Sequence, residues 1–285
     1  MISFIFLLLF IFLLTACSLI NPPEELPAYI QFDSAVVIVD SSSGFQSSLG
    51  VKDIWLFQDG KLTGIQPLPS TVPYIHLDQT DFFLEGGVYE SGLSSFKLPY
   101  PFWKQVEFQT GGIPGDTLVV HPVFRYFSDD EIDFSFEEDF EGGIKFETAG
   151  LESVPATLSP GMTTVFHGSR SGEVLIDSAG KFLNVKSLTP LPNISNDNDI
   201  WAEITYKTDV SFQAGVWRQV QGGPFAGFSE VVITPKEDWN TVYIHLASLV
   251  RAAQGTPVYF WIRAGSANST GTIHLDNIRV VNFDL

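Results

Sequence analysis

The chain has 285 residues, with 15 Lys and Arg against 33 Asp and Glu, and a net charge of −18 at pH 7. That balance repels polyphosphate and argues against nucleic acid as a partner. A content of 45% apolar and 14% aromatic residues argues against disorder, and the length suits two domains of ordinary size.

The chain opens with an unbroken apolar run from Phe4 to Leu14, followed by Thr15-Ala16-Cys17. A run of roughly 7–15 apolar residues ending in small ones reads as a secretory signal. It is too short to span a bilayer, which takes about 20 helical residues. Leu14-Thr15-Ala16-Cys17 resembles the lipobox of bacterial lipoproteins. The resemblance implies a signal peptide over 1–16, acylation of Cys17, and a membrane partner reached through that lipid anchor. Ser18, where an aspartate would retain the protein at the inner membrane, points by the same resemblance to the outer membrane. Cys17 is the only cysteine, so no disulfide supports the fold. Residues 17–25 contain Pro22, Pro23, Glu24 and Glu25, which suit a short extended tether.

Beyond the tether, short alternating stretches rich in Val, Ile, Phe, Tyr and Trp recur between Gly, Pro, Ser and Asn clusters. The pattern predicts an all-β chain of two sandwiches. Residues 26–127 form the first, with about eight short strands and a tight hairpin at Gln58-Asp59-Gly60-Lys61. Its size resembles an immunoglobulin-like sandwich. The segment from Trp55 to Gly64, followed by Pro67-Leu68-Pro69, resembles surface β modules of Bacteroidetes-type lipoproteins. The aromatic turn Tyr100-Pro101-Phe102-Trp103 is expected to pack between strands.

Residues 128–133 are acidic and read as a linker. The second sandwich covers 134–285, with strands expected over 164–167, 173–176, 201–207, 211–216, 229–234, 240–245, 257–263 and 271–282. Leu246 to Ala253 is the one helix-like segment. Three motifs here resemble the galactose-binding-like, carbohydrate-binding-module jelly roll. They are Asp139-Phe140-Glu141-Gly142 in the first strand region, the loop Gly168-Ser169-Arg170-Ser171-Gly172, and His274-Leu275-Asp276-Asn277-Ile278 in the last strand. The resemblance implies a structural Ca²⁺ held by Glu141 and Asp276 with carbonyls of the 168–172 loop. Such a hard cation takes six to eight oxygen ligands. Trp217, Phe225 and Phe228 are candidate ring platforms for a sugar, and Arg218 and Gln219 candidate hydrogen-bonding partners. Trp201, Trp239 and Trp261 are expected in the core from their strand contexts.

Catalytic patterns are sparse. Glu131 and Glu137 would stand about 20 Å apart in a regular strand, too far to act as a retaining pair. His76, His121, His167, His245 and His274 lack metalloprotease spacing. The sequence therefore predicts non-catalytic binding at the bacterial envelope, with glycan as the first ligand. A structural subunit that binds envelope proteins is the second reading and a polysaccharide hydrolase the third.

Overall fold

The computed structural model describes residues 26–39, 50–75, 78–150, 155–177, 181–195, 198–265 and 270–284. Cys17, the signal segment and the tether lie outside the described residues. The protein is nearly all β. The first sandwich contains β1 (Ala28–Phe32), β2 (Val36–Ile38), β3 (Asp53–Gln58), β4 (Lys61–Pro67), β5 (Ser70–Tyr74), β6 (Thr80–Tyr89), β7 (Lys97–Pro99), β8 (Val106–Thr110), β9 (Thr117–Val120) and β10 (Val123–Arg125). β4, β3, β6, β7 and β8 make one layer. β5-β1-β9 and the β10-β2 pair make the other, in an immunoglobulin-like sandwich. The predicted hairpin is present: Asp59 and Gly60 have φ of 47° and 75°, which a two-residue turn between twisted strands demands.

The second sandwich contains β11 (Ile132–Glu138), β12 (Phe146–Thr148), β13 (Leu158–Gly161), β14 (Ser171–Ile176), β15 (Leu183–Ser187), β16 (Ile200–Thr208), β17 (Phe212–Gln219), β18 (Phe225–Ile233), β19 (Lys236–His245), the short helix α1 (Ala247–Arg251), β20 (Val258–Ala264) and β21 (Gly271–Phe283). They form two facing antiparallel sheets, as in a jelly roll. One is β13-β14-β21-β16-β19, with β11 also paired to β21; the other is β12-β15-β20-β17-β18. The long β21 pairs β14 with its first half and β11 with its second. Between the sheets lies an apolar core including Phe136, Phe140, Val174, Ile204, Phe212, Val216, Phe260 and Ile278.

The expected strand at 164–167 is a loop. Its amide groups at Phe166 and His167 donate to the Asp276 carboxylate instead of to a neighbouring strand. Residues 128–133, read as a linker, form a turn that runs directly into β11. Ile132 is buried in the core of the first sandwich.

That core also takes in Trp201, Tyr243 and Val281 from β16, β19 and β21. Around Trp201, Tyr243 and Val281 the six-stranded sheet is thus buried on both faces. Ile200, Ala202, Ile204 and Tyr206 face the jelly-roll core, while Trp201 and Glu203 face the first sandwich. The Tyr100–Trp103 turn supplies the opposing surface. The Tyr100 ring lies edge-on to Trp201 at 5.7 Å and to Tyr243 at 4.9 Å, and Phe102 packs on Phe283 at 4.7 Å.

At the centre sits an ion pair. Glu203 and Arg279 are each 1% exposed, and Arg279 Nη2 donates to Glu203 Oε2 at 2.8 Å. The Tyr100 and Tyr126 hydroxyls both donate to Glu203 Oε1 at 2.7 Å. The Arg279 guanidinium lies over the rings of Tyr126 and Phe134. Removing one partner of a buried pair leaves the other charge uncompensated and costs about 3–5 kcal/mol. Glu203→Gln should therefore destabilise the whole chain by that amount in urea denaturation. A loss below about 1 kcal/mol would show that the pair contributes little.

Candidate functional site

The outward face of the β12-β15-β20-β17-β18 sheet gathers the aromatic and polar side chains that the jelly-roll core excludes. Alternation sets this. In β17, Phe212, Ala214 and Val216 point into the core, so Gln213, Gly215, Trp217 and Gln219 point out. In β20, Val258, Phe260, Ile262 and Ala264 point in, so Tyr259, Trp261 and Arg263 point out. Trp217 stands directly opposite Tyr259 on β20 and Gly227 on β18. Phe225 stands opposite Gln219 and is 40% exposed.

Trp261 is buried, but on this outward face rather than in the core where its strand context placed it. It lies opposite Gly215, and a side-chain carbon on Gly227 would fall 2.3 Å from its ring. The two glycines clear a floor on which the indole lies, and its Nε1 donates to Asn184 Oδ1 at 2.7 Å. Beside it, the Lys186 ammonium sits 3.8 Å from the centre of the Tyr259 ring and pairs with Glu147. At the Gln213 end, Arg263, Val232, Phe182 and Asp209 line a cleft of about 650 Å³. From Gln213 to Gln219 the face runs about 20 Å along the strand.

The structure divides the five predicted ligand residues. Trp217, Gln219 and Phe225 share the outward face. Arg218 and Phe228 lie on the opposite side: Phe228 packs against the jelly-roll core, and the Arg218 guanidinium stacks 3.8 Å from its ring. Trp217, Phe225 and Phe228 therefore do not form one ring platform. Tyr259, Asn184 and Lys186 belong to the face and were missed; the period-2 pattern of β20 carried the signal for Tyr259.

Glu141 and Asp276 converge on one loop from two sides. The fully buried Asp276 accepts from the amides of Phe166 at 3.1 Å, His167 at 3.2 Å and Asn277 at 2.8 Å. The exposed Glu141 accepts through Oε1 from Ser169 at 2.6 Å and Arg170 at 2.7 Å. A β-bulge brings Asp276 here, with Asn277 at φ of 44° where β21 passes from β14 to β11. Among the described residues no cluster of three or more His, Cys, Asp or Glu side chains forms a metal site. Still, two neighbouring carboxylates with lone pairs to spare fit a hard cation that completes its shell with carbonyls or water.

Burial, with a smaller push from the Glu141 charge, raises Asp276 to a pKa of about 6 despite its three amide bonds. A carboxyl whose folded pKa lies above its ordinary 3.8 takes up protons more readily in the fold. Its stabilising contribution is complete below that ordinary value and is lost as pH rises to about 6, at a cost of about 3 kcal/mol. Chelator-treated protein should thus lose thermal stability between pH 4 and pH 6 by an increment that Asp276→Asn removes. Parallel pH profiles for the two proteins would contradict the assignment.

The carboxylates considered for hydrolysis do not meet. Glu131 is exposed and bound to Ser128 and Lys104. Glu137 is half-buried, and burial raises its pKa.

No protein-family model matches the chain, and no curated protein matches it. Solved structures similar to it include carbohydrate-binding modules. The C-terminal family 22 module of Clostridium thermocellum Xyn10B is 14% identical with a TM-score of 0.37, over 52% of this chain and 91% of that one. A xylan-binding family 22 domain from Paenibacillus barcinonensis is 13% identical with a TM-score of 0.38, over 54% of this chain and 96% of that one. The family 11 module from Clostridium thermocellum is 14% identical with a TM-score of 0.36, over 55% of this chain and 96% of that one.

Proposed function

We propose that this chain is a lipid-anchored protein of the bacterial envelope, held at the outer membrane through Cys17, whose jelly roll binds glycan without catalysis. The observation that carries the reading is the cross-strand pair of Trp217 and Tyr259 on the outward face. Flat rings flanked by Phe225, Gln219, Lys186 and Gln213 offer a sugar chain both apolar stacking surface and hydrogen-bonding groups. The buried Trp261 lies beside them on the same face, two residues along β20 from Tyr259. Ca²⁺ held by Glu141 and Asp276 would neutralise two like charges and pin the 166–170 loop to the sheet.

The test uses the whole chain without its first 17 residues on a polysaccharide and glycan array. Binding is expected, and Trp217→Ala and Tyr259→Ala should each weaken it at least about tenfold, as buried aromatic anchors do. An array with no binder for folded protein would sink the reading and favour an assembly subunit. For the metal, Ca²⁺ is expected to raise the melting temperature over the chelator-treated protein, and Asp276→Asn to abolish the increase. Identical melts with and without Ca²⁺ in the unmutated protein would remove calcium from the proposal.

A further inference from the structure

His245 ends β19 where the two sandwiches meet. It stands directly opposite Trp201 on β16, and its ring stacks on the indole at 4.9 Å with 16° between the planes. Its Nε2 lies 2.5 Å from Oδ1 of Asp199, which precedes β16 in the second sandwich. Its Nδ1 lies 3.7 Å from Oε1 of Glu90, in the turn that follows β6 of the first sandwich. The imidazole thus stands between one carboxylate from each sandwich.

Both carboxylates are held by the fold. Asp199 accepts from the Ile200 amide at 3.2 Å through Oδ1 and from Trp201 Nε1 at 3.1 Å through Oδ2. The Glu90 turn is seated on β19 by its backbone. Glu90 pairs with Tyr243 in an isolated parallel bridge, and the Ser91 amide donates to the Tyr243 carbonyl at 2.7 Å. Glu230 on β18 and Arg251 on α1 also act on His245 through their charges. The Arg251 guanidinium donates to the carbonyls of Ser195 and Asn198, so the acids Asp199, Glu90 and Glu230 set the balance around the ring.

Protonation decides what the ring does. An imidazolium donates through both nitrogens, to Asp199 and toward Glu90, and the indole face favours its charge. A neutral ring keeps its proton on Nε2 for Asp199 and turns the Nδ1 lone pair toward the Glu90 carboxylate. An attraction between the two sandwiches then becomes a repulsion. The Asp199 hydrogen bond foremost, with burial opposing it, holds the His245 pKa above its ordinary 6.5. A base raised in this way gives stability that is complete below 6.5 and is lost as pH rises through the raised value.

We propose that His245 is a pH-sensitive latch, which as an imidazolium ties the Glu90 turn of the first sandwich to Asp199 of the second and as a neutral ring releases that turn. Residues Ser91 to Ser94 of the turn also wall a cleft of about 330 Å³ between the sandwiches, so the latch governs how firmly that wall is held. The latch uses no residue of the aromatic sheet face and stands apart from the glycan reading.

The experiment uses the chain lacking its first 17 residues, from about pH 6 to pH 9. NMR follows the His245 ring, its signal assigned with His245→Gln, and hydrogen exchange follows the Ser91 amide. His245 should titrate above 6.5. Across that titration Ser91 protection, corrected for the intrinsic pH dependence of exchange, should fall about two- to fivefold, the contribution of one partly exposed ion pair. Glu90→Gln should abolish the fall and lower the His245 pKa, and Asp199→Asn should lower that pKa further. The Glu90 side chain is 31% exposed, so its variant reports even if Asp199→Asn folds poorly. A His245 pKa at or below 6.5 would overturn the proposal. So would Ser91 protection that stays level in the unmutated protein, or a fall that persists in Glu90→Gln.

Discussion

The architecture turns on one buried ion pair. Glu203 and Arg279 sit on neighbouring strands of the jelly roll, on the face that a free-standing jelly roll would turn to water. Desolvating two charges is expensive, and their mutual attraction repays it only when their remaining hydrogen-bonding capacity is met. Here the first sandwich supplies Glu203 with the hydroxyls of Tyr100 and Tyr126, and the rings of Tyr126 and of Phe134 from β11 cover the Arg279 guanidinium. The apolar surround of Trp201, Tyr243 and Val281 is buried by the same contact. Neither sandwich is complete alone, and the aromatic face on the far sheet is held at a fixed angle to the first sandwich.

Much of this organisation is legible in the sequence. Period-2 alternation and the Asp59-Gly60 turn give the all-β character and a hairpin. What stays hidden depends on contacts made at long range. Glu203 in the segment from Ile200 to Thr208 looks like a solvent-facing residue in an alternating strand, because nothing local announces Tyr100, which lies 103 residues earlier. β5 is masked by Pro73, tolerated because β5 is an edge strand with β1 as its sole partner among the described residues. At the candidate site, alternation alone separates Trp217 from Arg218. Grouping residues by sequence proximity joined side chains that the strand points in opposite directions.

The shape of the sheet face owes as much to missing side chains as to those present. Gly215 and Gly227 occupy neighbouring strands, and any larger residue at Gly227 would lift Trp261 from the sheet. At Gly215 the obstacle is backbone, because an added carbon would lie 2.1 Å from the Phe228 carbonyl oxygen. Gly150, with φ of 74°, brings the chain close beside the Trp217 ring, 3.2 Å from where its side chain would begin. These glycines mark where backbone and indole approach closely, a pattern that composition and periodicity do not report.

The pairing of β1 has a mechanical consequence. β1 runs parallel to β9, from Tyr29 opposite Thr117 to Phe32 opposite Val120. A pull on the chain ahead of β1, resisted by a ligand gripped in the second sandwich, would draw β1 backward by its first residue and β9 forward by its last. Such a load runs along the strands and tensions all their shared hydrogen bonds at once, where a peeling load would break them one by one. The sandwich nearest the amino terminus is thus built as a shear clamp.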